Sequence, residues 1–442
     1  MTASHDAPLA TPDAVRALVG PVLDALADGV RERNGPLPSG GPSAVKALAD
    51  VLPEHGVGPA AAAEVARVLA AGSADPADPW CAAHLHCPPL AVAVAADVAA
   101  SALNPSMDSW DQAPAASAIE RQVTDAVARL CYPAEPAADA LVTTGGSESN
   151  LYGLLLAREK FGAVTPVCGR NAHHSVARAA WLLGLPRPVV VECRDDRVRP
   201  DALARALASV EGPTAVVATA GTTNSGAIDP LPEIAALRPD WLHVDAAYGG
   251  GLLFTERRNL LRGMESADSV ALDLHKFGWQ PIAAGLFACR DGADLRIMDT
   301  NADYLNADDD TEAGLPDLLG RSLRTSRRPD AVKIAATLRA LGRRGMGELV
   351  EACCTTARGV AAAITAHPDL ELWAEPTLST VVFRPKAACD VAALRRALLD
   401  EGKAVLGRAR LDGLWLKLTL LHPHTTPGDY QPLLGLVAKA AR

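Results

Sequence analysis

Short, mostly apolar runs alternate with longer stretches of helical period from about residue 139 onward. The runs at 140–143, 188–192, 214–219, 241–245, 269–274 and 285–289 are too short for buried helices and read as strands covered on both faces. Between them, 148–160 and 175–183 carry apolar residues at helical spacing. Strands separated by helices predict an α/β unit built on a mostly parallel sheet.

The chain before this region reads as helical. Thr11-Pro12-Asp13 offers a capping side chain, a proline at the first helical position and an acid near the positive end of the helix dipole. Leu18, Val22, Leu23 and Leu26 follow at helical spacing. A Gly- and Pro-rich break at 34–42 leads to a second helical stretch at 43–52, and 72–79 reads as a loop. Beyond Arg328 a long helical pattern passes through 331–339, with strands expected at 380–384 and 414–420. The expected organisation is an N-terminal helical segment (1–74), a large α/β unit (75–330) and a small α+β unit (331–442).

Composition narrows the functional classes. The 442 residues are 49% hydrophobic and 21% charged, an ordinary globular balance, and only 4% aromatic. A net charge of −10 without a Lys/Arg block argues against nucleic acid and against polybasic attachment to membranes. The most apolar window, 89–103, is broken by Asp97 and is too short to span a bilayer; residues 1–6 lack the order of a signal peptide. Nine cysteines are scattered without CxxC or Cys/His spacing, which predicts reduced thiols in a cytoplasmic protein and no metal site.

Ligands of such sheets sit at the carboxyl ends of the strands. Four segments place unusual polar residues there. Thr143-Thr144-Gly145-Gly146-Ser147-Glu148-Ser149-Asn150 ends a strand and opens a helix, so free backbone N–H groups and hydroxyls can cradle an anion. Ala172-His173-His174-Ser175 sets an imidazole where it can stack on a flat ring. His243-Val244-Asp245-Ala246-Ala247 delivers a carboxylate followed by small residues that leave room. Leu272-Asp273-Leu274-His275-Lys276 ends an apolar strand in a lysine, and a desolvated amine suits Schiff-base chemistry. Each alone has a plain structural explanation: a turn, a cap, a surface lysine. Together they are the parts needed to hold pyridoxal phosphate.

With these motifs the chain resembles the group II pyridoxal-phosphate decarboxylases, of the aspartate-aminotransferase-like fold (fold type I), from about Asp78 to the C-terminus. Ala83–Pro89 (AHLHCPP), 104–116 (NPSMDSWDQAPAA) and 415–426 (WLKLTLLHPHTT) look most like the diaminobutyrate and siderophore-type diamine-forming branch. The resemblance implies a large domain with a seven-stranded sheet, and a homodimer with its active site at the subunit interface. It implies that Lys276 carries the cofactor as a Schiff base, Asp245 pairs with the pyridine nitrogen and His173 stacks on the ring. Gly146, Ser147, Thr222, Ala247 and His275 would lie around the phosphate and cofactor. At Asp273 some relatives have Asn, which leaves a phosphate contact there open. Tyr304, in the acidic loop 299–314, matches the family's proton donor to Cα.

The segments that supply aromatic walls in aromatic-specific relatives here carry His86, Cys87 and Asp108, with Trp110 and Asp111 alongside. Acidic residues suit a substrate with a terminal ammonium, so L-2,4-diaminobutyrate, ornithine or lysine is expected; the other possibility is that Asp108 and Asp111 only cap or pair locally. Decarboxylation of an aromatic or other amino acid, a decarboxylation-dependent oxidative deamination or transamination on the same scaffold, and a catalytically silent dimerising relative stand as alternatives. The retained Tyr304, Lys276, Asp245 and His173 speak against the last three.

Overall fold

The computed structural model describes residues 8–299, 305 and 307–441. Its centre is a seven-stranded sheet of β1 (Asp139–Thr143), β2 (Thr165–Gly169), β3 (Val189–Val191), β6 (Thr214–Thr219), β7 (Trp241–Asp245), β8 (Ser269–Asp273) and β9 (Gly285–Cys289). A short hairpin, β4 (Cys193–Arg194) and β5 (Arg197–Val198), lies between β3 and β6 in the chain. The spatial order is β1-β9-β8-β7-β6-β2-β3, and β9 alone runs antiparallel to its neighbours. Strand alternation divides the apolar residues between two cores: Val216, Val244 and Val270 face one, while Ala215, Val217 and Trp241 face the other. The mostly parallel α/β sheet expected from the sequence is present.

Two expectations are corrected. The strand Thr165–Gly169 was not expected, because its five residues include a proline and end in glycine. The helix expected at 43–52 is absent; only a single 3₁₀ turn, Pro42–Ala44, forms there. Val45, Val51 and Leu52 are exposed, so no packed face exists to hold a helix too short to be stable alone. The first helix, Pro12–Arg33, starts where the cap predicts, with Thr11 Oγ1 accepting from the Ala14 N–H. It packs against the helix Ala61–Gly72.

The second sheet has the order β10-β11-β13-β12, from β10 (Leu370–Leu372), β11 (Thr380–Pro385), β12 (Gly407–Arg410) and β13 (Leu414–Thr419). The helix Ala331–Ala366, broken at Gly342 (φ 62°), belongs to both units. Its Ile334, Val350 and Cys353 pack under the large sheet, and Val360 and Ile364 under the small one. By length and composition it could cross a membrane, a property not visible in the window at 89–103, but its buried side chains serve these two cores. Ala82 joins the second core as well, and Cys81 bridges to Val405, so the segment after residue 75 is shared between units.

Candidate active site

Parallel pairing brings the ends of β6, β7 and β8 to one edge, where Thr219, Asp245 and Asp273 end their strands. The loop after β1 crosses this edge and opens the helix Gly146–Phe161. A cavity of about 260 Å³ lies here. Gly146, Ser147, His173, Asp245, Ala247, His275 and Lys276 all line it, so seven of the residues expected from the motifs converge.

The cradle is built by close approach. A Cβ on Gly145 would lie 2.9 Å from His275 Cε1, and one on Gly146 would lie 2.9 Å from Ala247 Cβ. Glycine therefore lets backbone N–H groups at the helix start face the cavity. Opposite, Lys276 Nζ lies 2.9 Å from Asp273 Oδ2, and His275 Nε2 lies 3.5 Å from the same oxygen. His275 Nδ1 accepts from the Ala284 N–H at 3.3 Å, which directs its Nε2 proton toward Asp273. Burial lowers the pKa of His275 and that of His173, favouring the neutral rings.

Asp245 accepts from Asn150 Nδ2 at 2.8 Å and from the Ala247 N–H at 3.1 Å. Asn150 in turn accepts from His243 Nε2 at 2.9 Å. His243 is fully buried, and that burial pushes its pKa down to about 4. Asn150 and His243 stood inside quoted motifs without a role. Gly146, Asn150 and Gly153 share one buried helix face at i, i+4 and i+7, and a lone amide in a stripe of glycines was the signal available.

Other expected residues fall elsewhere. Thr222 is buried and turns its hydroxyl to Asp196, while Gly221 and Thr223 on either side line the cavity. Tyr304 lies outside the described residues. His86, Cys87, Asp108 and Trp110 do not line this cavity; their neighbour Leu85 does. The Cys87 thiol donates to the His275 carbonyl at 3.2 Å, and burial pushes its pKa up to about 12, so it packs behind the lysine segment as a thiol. Asp108 accepts from Gln112 Nε2 at 2.8 Å and Asp111 from Ser109 Oγ at 2.6 Å. These are the local pairs that formed the other reading of the two acids.

Residues 59–386 match the pyridoxal-dependent decarboxylase conserved domain. The chain belongs to the pyridoxal-dependent decarboxylase family. It is similar to the L-2,4-diaminobutyrate decarboxylase of Rhizobium meliloti (strain 1021), 42% identical over 89% of this chain and 84% of that one. It is also similar to the enzyme of the same name from Acinetobacter baumannii, 35% identical over 81% and 79%. Among solved structures, the glutamate decarboxylase domain of the diaminobutyrate-pyruvate transaminase and L-2,4-diaminobutyrate decarboxylase from Vibrio parahaemolyticus matches with a TM-score of 0.84 at 30% identity, covering 96% and 95% of the two chains.

As a member of this family the chain is a carboxy-lyase acting on an amino acid, with pyridoxal phosphate as its cofactor. The cavity fits that cofactor. Thr219 Oγ1 is buried against it without a hydrogen-bond partner among the described residues, so its wall has a hydroxyl to offer a polar ligand. An amine, a strand-end carboxylate and a glycine-built anion cradle face the same space.

Proposed function

We propose that this decarboxylase acts on L-2,4-diaminobutyrate, releasing CO2 and 1,3-diaminopropane. The observation that carries this reading is the 42% identity, over most of both chains, to an enzyme of that name. Bound pyridoxal phosphate supplies the electron sink for the pair left behind when CO2 departs. Lys276 Nζ would be the amine that holds the cofactor. The Asp245 carboxylate would hold a proton at the pyridine nitrogen, where positive charge would deepen the sink. His173 would stack on the cofactor ring, and the N–H groups of Gly146 and Ser147 would hold its phosphate. Tyr304 returns a proton to the substrate Cα.

The active form is a homodimer, a reading supported by the family resemblance and by the exposed Val94, Val98 and Leu103 on the helix Ala91–Leu103. Nine free cysteines, six of them buried, support a cytoplasmic location.

Steady-state decarboxylation across an amino-acid panel, with products identified by mass spectrometry, tests the substrate. L-2,4-diaminobutyrate is expected to give the highest kcat/KM. Preference for tyrosine, tryptophan or glutamate would overturn the proposal. Light scattering of the holoenzyme tests the dimer.

A further inference from the structure

Asn150 lies one turn into the helix that opens at the anion cradle; it is 1% exposed. Its Nδ2 donates to Asp245 Oδ2 and to Ser175 Oγ, at 2.8 Å each, and its Oδ1 accepts from His243 Nε2 at 2.9 Å. A carboxylate can only accept, so the NH2 side of the amide must face Asp245 and the carbonyl side His243. His243 then carries its proton on Nε2, and its Nδ1 accepts from the Ser269 hydroxyl at 2.8 Å. On the other branch, Ser175 Oγ accepts from Asn150 and gives its own proton to His173 Nδ1 at 2.8 Å. The Ser175 N–H reaches the same nitrogen at 3.3 Å, which leaves the His173 proton on Nε2. One amide thus sets the direction of every hydrogen bond from Ser269 to His173. Burial of both imidazoles disfavours a second proton on either and keeps those directions fixed.

We propose that Asn150 is a positioning residue for the decarboxylation, tying the Asp245 carboxylate and the His173 ring into one hydrogen-bonded unit with a single proton arrangement. Asp245 reaches the cavity with one oxygen held by Asn150 and the other by the Ala247 N–H. His173 reaches it as a neutral ring whose Nε2–H is its only donor. Free rotation of either group would blur two contacts that must be made together. The network also needs Gly153, whose missing Cβ leaves room for the His243 ring 2.5 Å away. The proposal rests on the reading that Asp245 meets the ring nitrogen and His173 the ring face.

The test compares the holoenzymes of wild type, Asn150→Ala, Asn150→Thr and Ser269→Ala by pyridoxal phosphate dissociation constant and by pH titration of the bound cofactor's visible band. His243 faces Asp245, and His173 faces Asp245, His174, Lys276 and Asp273, all unchanged in these variants. Asn150→Ala is expected to weaken cofactor binding about tenfold, the scale of a lost hydrogen bond to a charge. It is expected to move the midpoint of the band by about half a pH unit or more. Asn150→Thr keeps one donor and falls between, and Ser269→Ala, at the far end, moves both readouts the same way by less. A folded Asn150→Ala, or Asn150→Thr should the alanine variant fail to fold, with wild-type affinity and midpoint would overturn the proposal. A wild-type holoenzyme with no visible band would instead remove the Lys276 assignment beneath it, and the proposal with it.

Discussion

Lys276 Nζ sits 2.9 Å from Asp273 Oδ2, so the amine proposed to take the cofactor is paired with a buried carboxylate that ends β8, three residues before it. The other oxygen, Oδ1, lies 3.6 Å from where a Cβ on Gly145 would stand, in the wall of the anion cradle. Asp273 thus sets a carboxylate beside both the lysine and the proposed site for the phosphate.

Asp273→Asn removes that charge while keeping the shape. Affinity for pyridoxal phosphate is expected to rise severalfold, and affinity for pyridoxal, which lacks the phosphate, to change little. Fluorescence titration of the apoprotein with both ligands measures the difference. Weaker binding of pyridoxal phosphate by the variant would count against a repulsive role for the carboxylate.

Lys276→Ala is expected to abolish the visible band of the covalently bound cofactor and to lower kcat by roughly 10³-fold or more. Absorption spectroscopy of the reconstituted variant checks the first and CO2 release the second. A band of wild-type position and intensity would assign the attachment to another amine.

His243 predicts a pH dependence of stability. Its pKa is about 4 in the folded chain, against 6.5 for the free side chain. Between these values the unfolded state binds a proton that the folded state refuses, so stability is lost as pH falls from about 6.5 toward 4. The contribution is on the order of a few kcal/mol. Urea midpoints of wild type and His243→Gln, compared from pH 7 to pH 4.5, isolate it from the titration of the carboxylates. The gap between the two curves is expected to narrow as the solution is acidified, and a constant gap would contradict it.

Gly153→Ala sets a methyl group 2.5 Å from His243 Nδ1. The ring must move, which disturbs its bonds to Ser269 and Asn150 and overpacks a closed site. A cost of about 1–3 kcal/mol is expected, together with weaker cofactor binding. Thermal denaturation of apo and holo forms measures both. A variant with unchanged melting temperature would show that the helix and strand can separate freely here.

Arg327 and Glu120 form a buried bidentate pair, with two bonds of 2.6 Å. The Arg327 carbonyl accepts from the Met107 N–H, so the pair also anchors the segment carrying Asp108. Glu120→Ala leaves a buried guanidinium uncompensated and is expected to cost about 3–5 kcal/mol. Chemical denaturation reads the cost directly, and a loss under about 1 kcal/mol would mean that water replaces the partner.

Strands buried on both faces were legible because their apolar runs are short and bounded, and Thr214–Thr219, Trp241–Asp245 and Gly285–Cys289 begin and end where the pattern places them. The stretch 43–52 was misread because helical spacing states a preference that only burial turns into a helix. Lys276, Asp245 and His173 were legible as residues out of place at strand ends. The role of Asn150 was not, because its partners Asp245 and His243 lie more than ninety positions downstream. The family resemblance sets Thr222 near the cofactor, and its hydroxyl is engaged by Asp196, a residue with no motif to mark it.

The small sheet reaches under the cavity at two points. Lys417 Nζ, on β13, donates to the Thr223 carbonyl at 2.7 Å, and the Tyr248 hydroxyl bonds Ser379 and Thr380, at the start of β11, at 2.9 Å. Thr223 and Tyr248 both belong to the cavity wall. During synthesis, the residues that face the ligand therefore emerge well before the strands that brace them. The cavity wall is completed only when the last-made strands have docked against it.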